Sequence, residues 1–374
     1  MRRLVLLVIV GIALTGMVFA EGSQETDVQQ LDFQLNWKIT ADHAPYYVAL
    51  EKGWYDEVGL DVNIILGQGS GYTVQTLDTG RASMGIADAP VAVAGRANGA
   101  EVKIVGVIFD KHPNSMFFWE DSGIEEPQDI VGKTVAVPAS DGHKVMWPAF
   151  ARQIGVDPDS VEFVNIEPAA KVAALANRRA DAVFELYTGK PFMEEAIPPD
   201  QLGNILWSDY GFDIYAHSII ATDEIIENDP EVVSKFLEAS YRAWQWTLEN
   251  PEEAIEILAE YHPINVDSYL ANLGYVAEFF KTDRYKNVGI GHIAPDRIEQ
   301  TVNTVAQYQG VEVNFDVEEM YDGSMLPDPM YKFDFERCNV PGIARQAARG
   351  DPSSRAFNLN LEYARWNMET HCYR

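Results

Sequence analysis

Two carboxylates stand where an open α/β chain places its chemistry. Asp88 follows Gly85-Ile86-Ala87 and Glu185 follows Ala182-Val183-Phe184, and both apolar runs read as short strands. Ligands of such sheets sit beyond the carboxyl ends of strands, so each acid is placed to accept a hydrogen bond from a bound molecule. The plainer alternatives are a helix cap for Asp88, ahead of Pro90, and a solvated or bridging role for Glu185.

Aromatic and small polar residues recur at equivalent positions. Trp37 closes a strand read over Phe33 to Trp37, and Asp42, His43 and Tyr46-Tyr47 open the helix that follows, with Asp42 as its expected cap. A planar molecule could stack on Trp37 or a tyrosine while polar groups read its edge. His43 could instead cap its own turn, and Tyr47 shares helical spacing with Leu50 and Trp54, as a core residue would. In Gly67-Gln68-Gly69-Ser70-Gly71, Gly69 and Ser70 could present backbone N–H groups to a polar or anionic group. Tyr72 stands where a dinucleotide fingerprint needs a third glycine, and no lysine follows as in a phosphate loop. In Ala139-Ser140-Asp141-Gly142-His143, Ser140 and Asp141 again lie between a strand and a helix. Tyr187, Trp207 and Tyr210 are further aromatic candidates, each equally suited to packing.

Catalytic patterns are weak. Around Ser70 the order is Gly-x-Gly-Ser-Gly, not the nucleophile elbow Gly-x-Ser-x-Gly. The seven histidines lack paired helical spacing, and Cys338 and Cys372 have only His371 beside them. No cofactor, metal or enzymatic activity is expected.

The elements that must position these residues alternate strand and helix. Strands are read at 61–66, 84–87, 102–109 and 116–119, then at 134–137, 161–165, 182–184 and 214–221. Helices are read at 72–79, 91–98, 144–154, 169–177, 231–248 and 251–261. The polar run Asp121-Ser122-Gly123 suggests a change of unit. The expected division is one lobe over 31–120 plus 215–330, a second over 121–214, and an extension over 331–374. Two lobes also suit the length, because one core rarely organises about 350 residues.

The N-terminus reads as an export signal: Arg2-Arg3, an apolar stretch from Leu4 to Val18, and Val18-Phe19-Ala20 as a cleavage pattern after residue 20. No cysteine adjoins that junction, so a lipid anchor is not expected. A net charge of −29 argues against nucleic-acid and anionic-membrane partners. The tail from Cys338 to Arg374 is arginine-rich around the Gly350-Asp351-Pro352 break, and its two cysteines could pair in an exported chain.

Three segments carry a family resemblance: Trp37 through Val62, Glu126-Pro127-Gln128-Asp129 to Gly132-Lys133, and Pro168-Ala169-Ala170 through Arg179-Ala180-Asp181-Ala182. Over roughly Leu31 to Phe280 the chain resembles the solute-binding proteins of bacterial ABC importers in the NMT1/THI5-like group, which bind thiamine-pyrimidine precursors. Riboflavin, sulfonate and nitrate binders are relatives of that group. The resemblance implies a type II periplasmic-binding fold, α/β, with two hinged lobes and a ligand cleft between them. It further implies a periplasmic or extracellular monomer that hands a small molecule to an inner-membrane permease, or presents it as a sensor. The favoured ligand is a pyrimidine thiamine precursor, whose amine or ring N–H would meet Glu185 or Asp88. Riboflavin or a sulfonate- or nitrate-type anion are the alternatives. An anion would need a dedicated Arg or Lys, and the candidate loops offer only Lys144. Eukaryotic relatives that synthesise the pyrimidine use an iron-associated cysteine cluster, whereas no cysteine precedes Cys338 here.

Overall fold

The computed structural model describes residues 28–332. The residues read as an export signal and the tail with its two cysteines lie outside those residues. Ten strands are present among them: β1 (Gln29–Gln34), β2 (Leu60–Ile65), β3 (Met84–Asp88), β4 (Val102–Val107), β5 (Asn114–Trp119), β6 (Thr134–Val137), β7 (Glu162–Asn165), β8 (Ala182–Leu186), β9 (Leu202–Leu206) and β10 (His217–Thr222). They build two five-stranded sheets, ordered β2-β1-β3-β10-β4 and β7-β6-β8-β5-β9. In each, three neighbouring strands run parallel and one inserted strand, β10 or β5, runs antiparallel to both its neighbours. Each inserted strand is the first one built after the chain arrives from the other lobe.

Two segments therefore cross between lobes, residues 108–113 and 207–216. They are joined to each other: Ile108 and Phe109 donate backbone N–H to His217 O at 2.8 and 3.0 Å, and Ala216 N–H returns to Phe109 O at 3.1 Å. A paired double crossing of this kind can bend while both sheets stay intact.

Parallel sheets are covered on both faces, which explains why all five residues of β3 are buried. The helix Pro230–Glu249 covers one side of the first sheet. Pro230 fits its first turn, and Val233, Phe236, Leu237, Ser240, Tyr241, Trp244 and Leu248 recur at helical spacing on its buried face. Phe236 meets Phe33 of β1 at 4.5 Å between ring centroids. In the second lobe Trp207 lies flat on Phe150 at 4.4 Å, with Trp147 and Phe184 around it. Trp207 is thus core, its aromatic area buried against other rings.

Several expectations shift. The strand at 116–119 pairs with β8 and β9, so it belongs to the second sheet, and the sheets divide ahead of Asn114 and not at 121. Asp121-Ser122-Gly123 is merely the turn that ends β5, Gly123 supplying a positive φ of 74°. β1 ends at Gln34, which leaves Trp37 in the loop beyond it. Asp42 lies in a short turn, Ala41–His43, ahead of the helix Ala44–Glu51, and caps neither. Gly53, at φ 66°, then separates that helix from Trp54–Glu57.

Two helices that the sequence did not announce brace the lobes. Val266–Phe280 touches the Ala41–His43 turn on one lobe and residues 187–194 on the other, while Pro295–Tyr308 packs on the helices Ala89–Ala97 and Gly142–Gln153. Among the described residues no helix is long and apolar enough to cross a membrane.

Candidate ligand cleft

Where the lobes face each other the structure holds a cleft of about 690 Å³, counting its open mouth. Its first-lobe wall is shaped by the glycine loop. Gly67 N–H donates to Trp37 O at 3.0 Å and Gly69 N–H to Asn36 O at 2.6 Å, so the loop folds back onto residues 35–37. A Cβ at Gly67 would fall inside the Leu35 carbonyl, which is why glycine stands there. Gly71 N–H reaches Ser140 O on the opposite lobe at 3.2 Å. Gly67, Gly69 and Gly71 thus spend their N–H groups on protein acceptors.

Behind that wall runs a chain of hydrogen bonds. His43 Nδ1 accepts the Thr40 N–H at 3.2 Å, which leaves Nε2 to donate to Asn36 Oδ1 at 3.0 Å. Asn36 Nδ2 then reaches His217 Nε2 at 2.9 Å. His217 starts β10 directly opposite Asp88, its Nε2 3.6 Å from Asp88 Oδ1 and its Nδ1 3.5 Å from Asp42 Oδ2. Burial pushes His43 down to about 4, with Asp42 opposing. Burial also pulls on His217, but the Asp88 and Asp42 carboxylates outweigh it and hold that ring above the usual histidine range. For Asp42, burial is outweighed by His43 and His217, and its carboxyl stays well below the ordinary range.

The second-lobe wall centres on Asp141, which caps the helix Gly142–Gln153. Its Oδ1 accepts from His143 N at 2.9 Å and lies 2.7 Å from His143 Nδ1. Its Oδ2 lies 2.6 Å from Lys171 Nζ, which is also 3.4 Å from Glu185 Oε2 and 4.6 Å from the centre of the Trp37 ring across the cleft. Burial would raise the Asp141 carboxyl, yet Lys171 and His143 overcome it and hold the group ionised. Lys171 is raised in turn, Asp141 and Glu185 outweighing its burial. Glu185 Oε1 takes the Leu186 N–H at 3.0 Å.

Asp88 is held by Ser70. Its Oδ2 accepts from Ser70 Oγ at 3.0 Å, and Ser70 Oγ accepts the Asp88 N–H at 3.0 Å. The carboxylate makes no capping bond to the helix it precedes, and its Oδ1 is buried with no hydrogen-bond partner.

Of the residues singled out from sequence, Trp37, Gly69, Ser70, Asp88, Asp141 and Glu185 line the cleft. The others lie elsewhere. His43 sits one layer back, behind Asn36. Tyr47 packs against Tyr261 and His262 at about 5 Å, on the helix face turned away from the cleft. Ser140 lies on the seam between lobes, its Oγ donating to Gln68 O at 2.7 Å. Tyr187 packs edge-on against Tyr275 at 5.4 Å. Tyr210, 40% exposed, follows the turn after β9 outward.

The cleft also contains Asn36, His143, Lys171, His217 and Asn272, which sequence reading did not select. Lys171 follows Pro168-Ala169-Ala170 directly, and that segment's strand-to-helix position was the available signal. Lys144, the cation expected nearby, lies over Phe163 instead, 5.4 Å from the ring centre. No cluster of three or more His, Cys, Asp or Glu among the described residues is arranged to hold a metal ion.

The doubled sheet order, the paired crossing and the cleft between them agree with comparison to known proteins, in which the NMT1/THI5-like family model matches residues 40–254. The chain belongs to the NMT1/THI5-like family. Among its relatives, the formylaminopyrimidine-binding protein of Halalkalibacterium halodurans is 24% identical over 63% of this chain and 72% of that protein. The 4-amino-5-hydroxymethyl-2-methylpyrimidine phosphate synthase of Legionella pneumophila is 26% identical over 79% of this chain and 92% of its own length. In fold, the periplasmic aliphatic sulphonate-binding protein SsuA of Escherichia coli superposes with a TM-score of 0.60 at 15% identity, covering 78% of this chain and 97% of that one. The architecture is the two-lobed type II periplasmic-binding fold. The relatives of this chain thus include proteins named as binders and proteins named as synthases.

Proposed function

We propose that this protein is the extracytoplasmic solute-binding component of an ABC importer, and that its cleft takes a small planar nitrogen heterocycle of the pyrimidine class. The observation that carries the reading is the placement of Trp37 and Glu185 on opposite walls of one cleft, with Lys171 between them. An indole offers a face for stacking, and carboxylates offer acceptors for ring and amine N–H groups.

Charge argues against the anionic alternatives. The lining contains Asp42, Asp88, Asp141 and Glu185 against two lysines, Lys38 and Lys171, and Lys171 is already shared by two carboxylates. A sulfonate, nitrate or phosphate entering this space would meet uncompensated negative charge. The same feature favours binding over synthesis of a phosphorylated product. So does the cysteine inventory, two in the whole chain and both beyond residue 332. An export signal and the relative named as a pyrimidine binder agree with delivery to a membrane permease.

Thermal unfolding of the purified protein against a panel of pyrimidines, flavins and sulfonates tests the reading. A pyrimidine at 100 times its Kd should stabilise the fold by about 2.7 kcal/mol. The absence of any pyrimidine-dependent shift, or turnover of the compound into product, overturns it.

A further inference from the structure

The helix Val266–Phe280 belongs to the first lobe by its packing. Leu273, Val276, Ala277 and Phe280 are buried in the core that also holds Phe33, Met84 and Ile219 of the first sheet, and the Phe280 ring stacks on Trp244 at 4.7 Å. Tyr269 OH donates to Ile39 O at 2.9 Å, a further tie to that lobe. One residue of the helix reaches both ways. Asn272, 1% exposed, accepts the Ala41 N–H on Oδ1 at 2.8 Å and donates from Nδ2 to Thr188 O at 2.6 Å. Ala41 opens the first-lobe turn Ala41–His43, whereas Thr188 lies in the turn Tyr187–Gly189 that directly follows β8 of the second lobe. Met193, a few residues on, is buried with Phe117 and Val183 in the second lobe's core, so this stretch moves with that lobe.

The partners fix which way the amide points, because a backbone N–H only donates and a carbonyl only accepts. Ser268 and Glu195 bridge the same two lobes at the exposed edge of the helix, where water competes for their hydrogen bond. Asn272 is shielded, so no water replaces a bond it loses. On this basis we propose that Asn272 is an interlobe latch, a positioning residue whose amide holds the lobes together in part of the population before any ligand arrives. The proposal goes beyond the binding reading and does not depend on which molecule the cleft takes. A bond made without ligand reduces the differential affinity a ligand must supply to complete closure. Thr188 follows Glu185 by three residues, so the latch also fixes the end of β8 that presents Glu185 to the cleft.

Amide hydrogen exchange, followed by NMR on the ligand-free protein, tests this. Gly71 N–H bonds Ser140 O across the lobes at 3.2 Å and reports whether they are together. Leu35 N–H, on Ile65 O at 2.8 Å, and Glu162 N–H, on Lys133 O at 3.0 Å, report the first and second lobes separately. Gly71 should be protected in the wild type. Asn272→Leu, close in size but without the amide, should cut that protection at least about tenfold and raise the radius of gyration in solution scattering, while Leu35 and Glu162 exchange as in the wild type. A folded variant with unchanged Gly71 protection overturns the latch, as does a wild-type Gly71 that exchanges freely without ligand. Equal loss at all three amides overturns it as well, since the residue would then support the fold and not the lobe arrangement. Should Asn272→Leu not fold, Asn272→Ala carries the same comparison. Because no ligand is present, each outcome leaves the binding reading to its own test.

Discussion

Lys171 Nζ lies 2.6 Å from Asp141 Oδ2, and it is the second lobe's single link to the face of Trp37 among the described cation–π contacts. The lysine is 2% exposed, so its charge is tolerated only because Asp141 and Glu185 neutralise it. Removing it leaves two carboxylates facing each other without a cation. Lys171→Met should therefore destabilise the protein by about 3–5 kcal/mol and abolish ligand-induced stabilisation. Chemical denaturation measures the first and thermal unfolding with pyrimidine the second; unchanged stability would contradict the pairing.

Trp37 and Tyr47 separate the cleft from the core. Trp37→Ala should weaken pyrimidine binding roughly 30-fold, as loss of an aromatic anchor worth about 2 kcal/mol does. Tyr47→Phe keeps the ring contacts with Tyr261 and His262 and should leave affinity unchanged, as should Tyr210→Ala at the exposed turn. Calorimetry on the three variants tells the two environments apart.

Gly69 adopts φ 130°, and a Cβ there would collide with the Ser140 carbonyl of the facing lobe. Alanine at this position is strained by about 1–3 kcal/mol in its own backbone, and the collision is added when the lobes are together. Gly69→Ala should thus raise Kd about tenfold or more and leave a larger radius of gyration in the presence of ligand, read by solution scattering. Lobes that close as tightly as in the wild type would refute the clash.

His43 gives stability a pH dependence of known sign. Its ring titrates near 6.5 when unfolded and at about 4 when buried, so between those values the unfolded chain binds more protons. Stability then falls as pH drops from 6.5 to 4, by roughly 3 kcal/mol from this group. His217 acts in the opposite sense: its raised value adds stability at low pH that is lost as pH rises through it. His43→Gln, which keeps a donor toward Asn36, should flatten the acid limb of a melting-temperature profile recorded over that window. An unchanged slope would show that the ring is not buried neutral.

Much of the architecture was legible because it depends on local pattern. Apolar runs marked β2, β3, β6 and β8, and the helical stretch read over 231–248 marked the long helix Pro230–Glu249. Asp88 and Glu185 could be placed at the cleft because a strand's carboxyl end has a fixed relation to the crevice of an open sheet. Where local pattern served two outcomes, it misled. Tyr47, whose helical spacing with Leu50 and Trp54 suited a core residue as well as a ligand contact, turns into the helix packing, whereas Trp37 stays in the open loop.

What the chain order alone determined was the presence of two α/β units, the acids at their strand ends and the glycines of the 67–71 loop. Only the tertiary structure decided that β5 and β10 are the inserted strands of the two sheets, that His217 returns opposite Asp88, and that Lys171 lies between Asp141 and Glu185. The physical reason is separation: Lys171 lies 30 residues beyond Asp141, and His217 is 129 beyond Asp88. Periodicity reports which face a residue takes on its own element. It carries no information about which charge from a distant element will meet it.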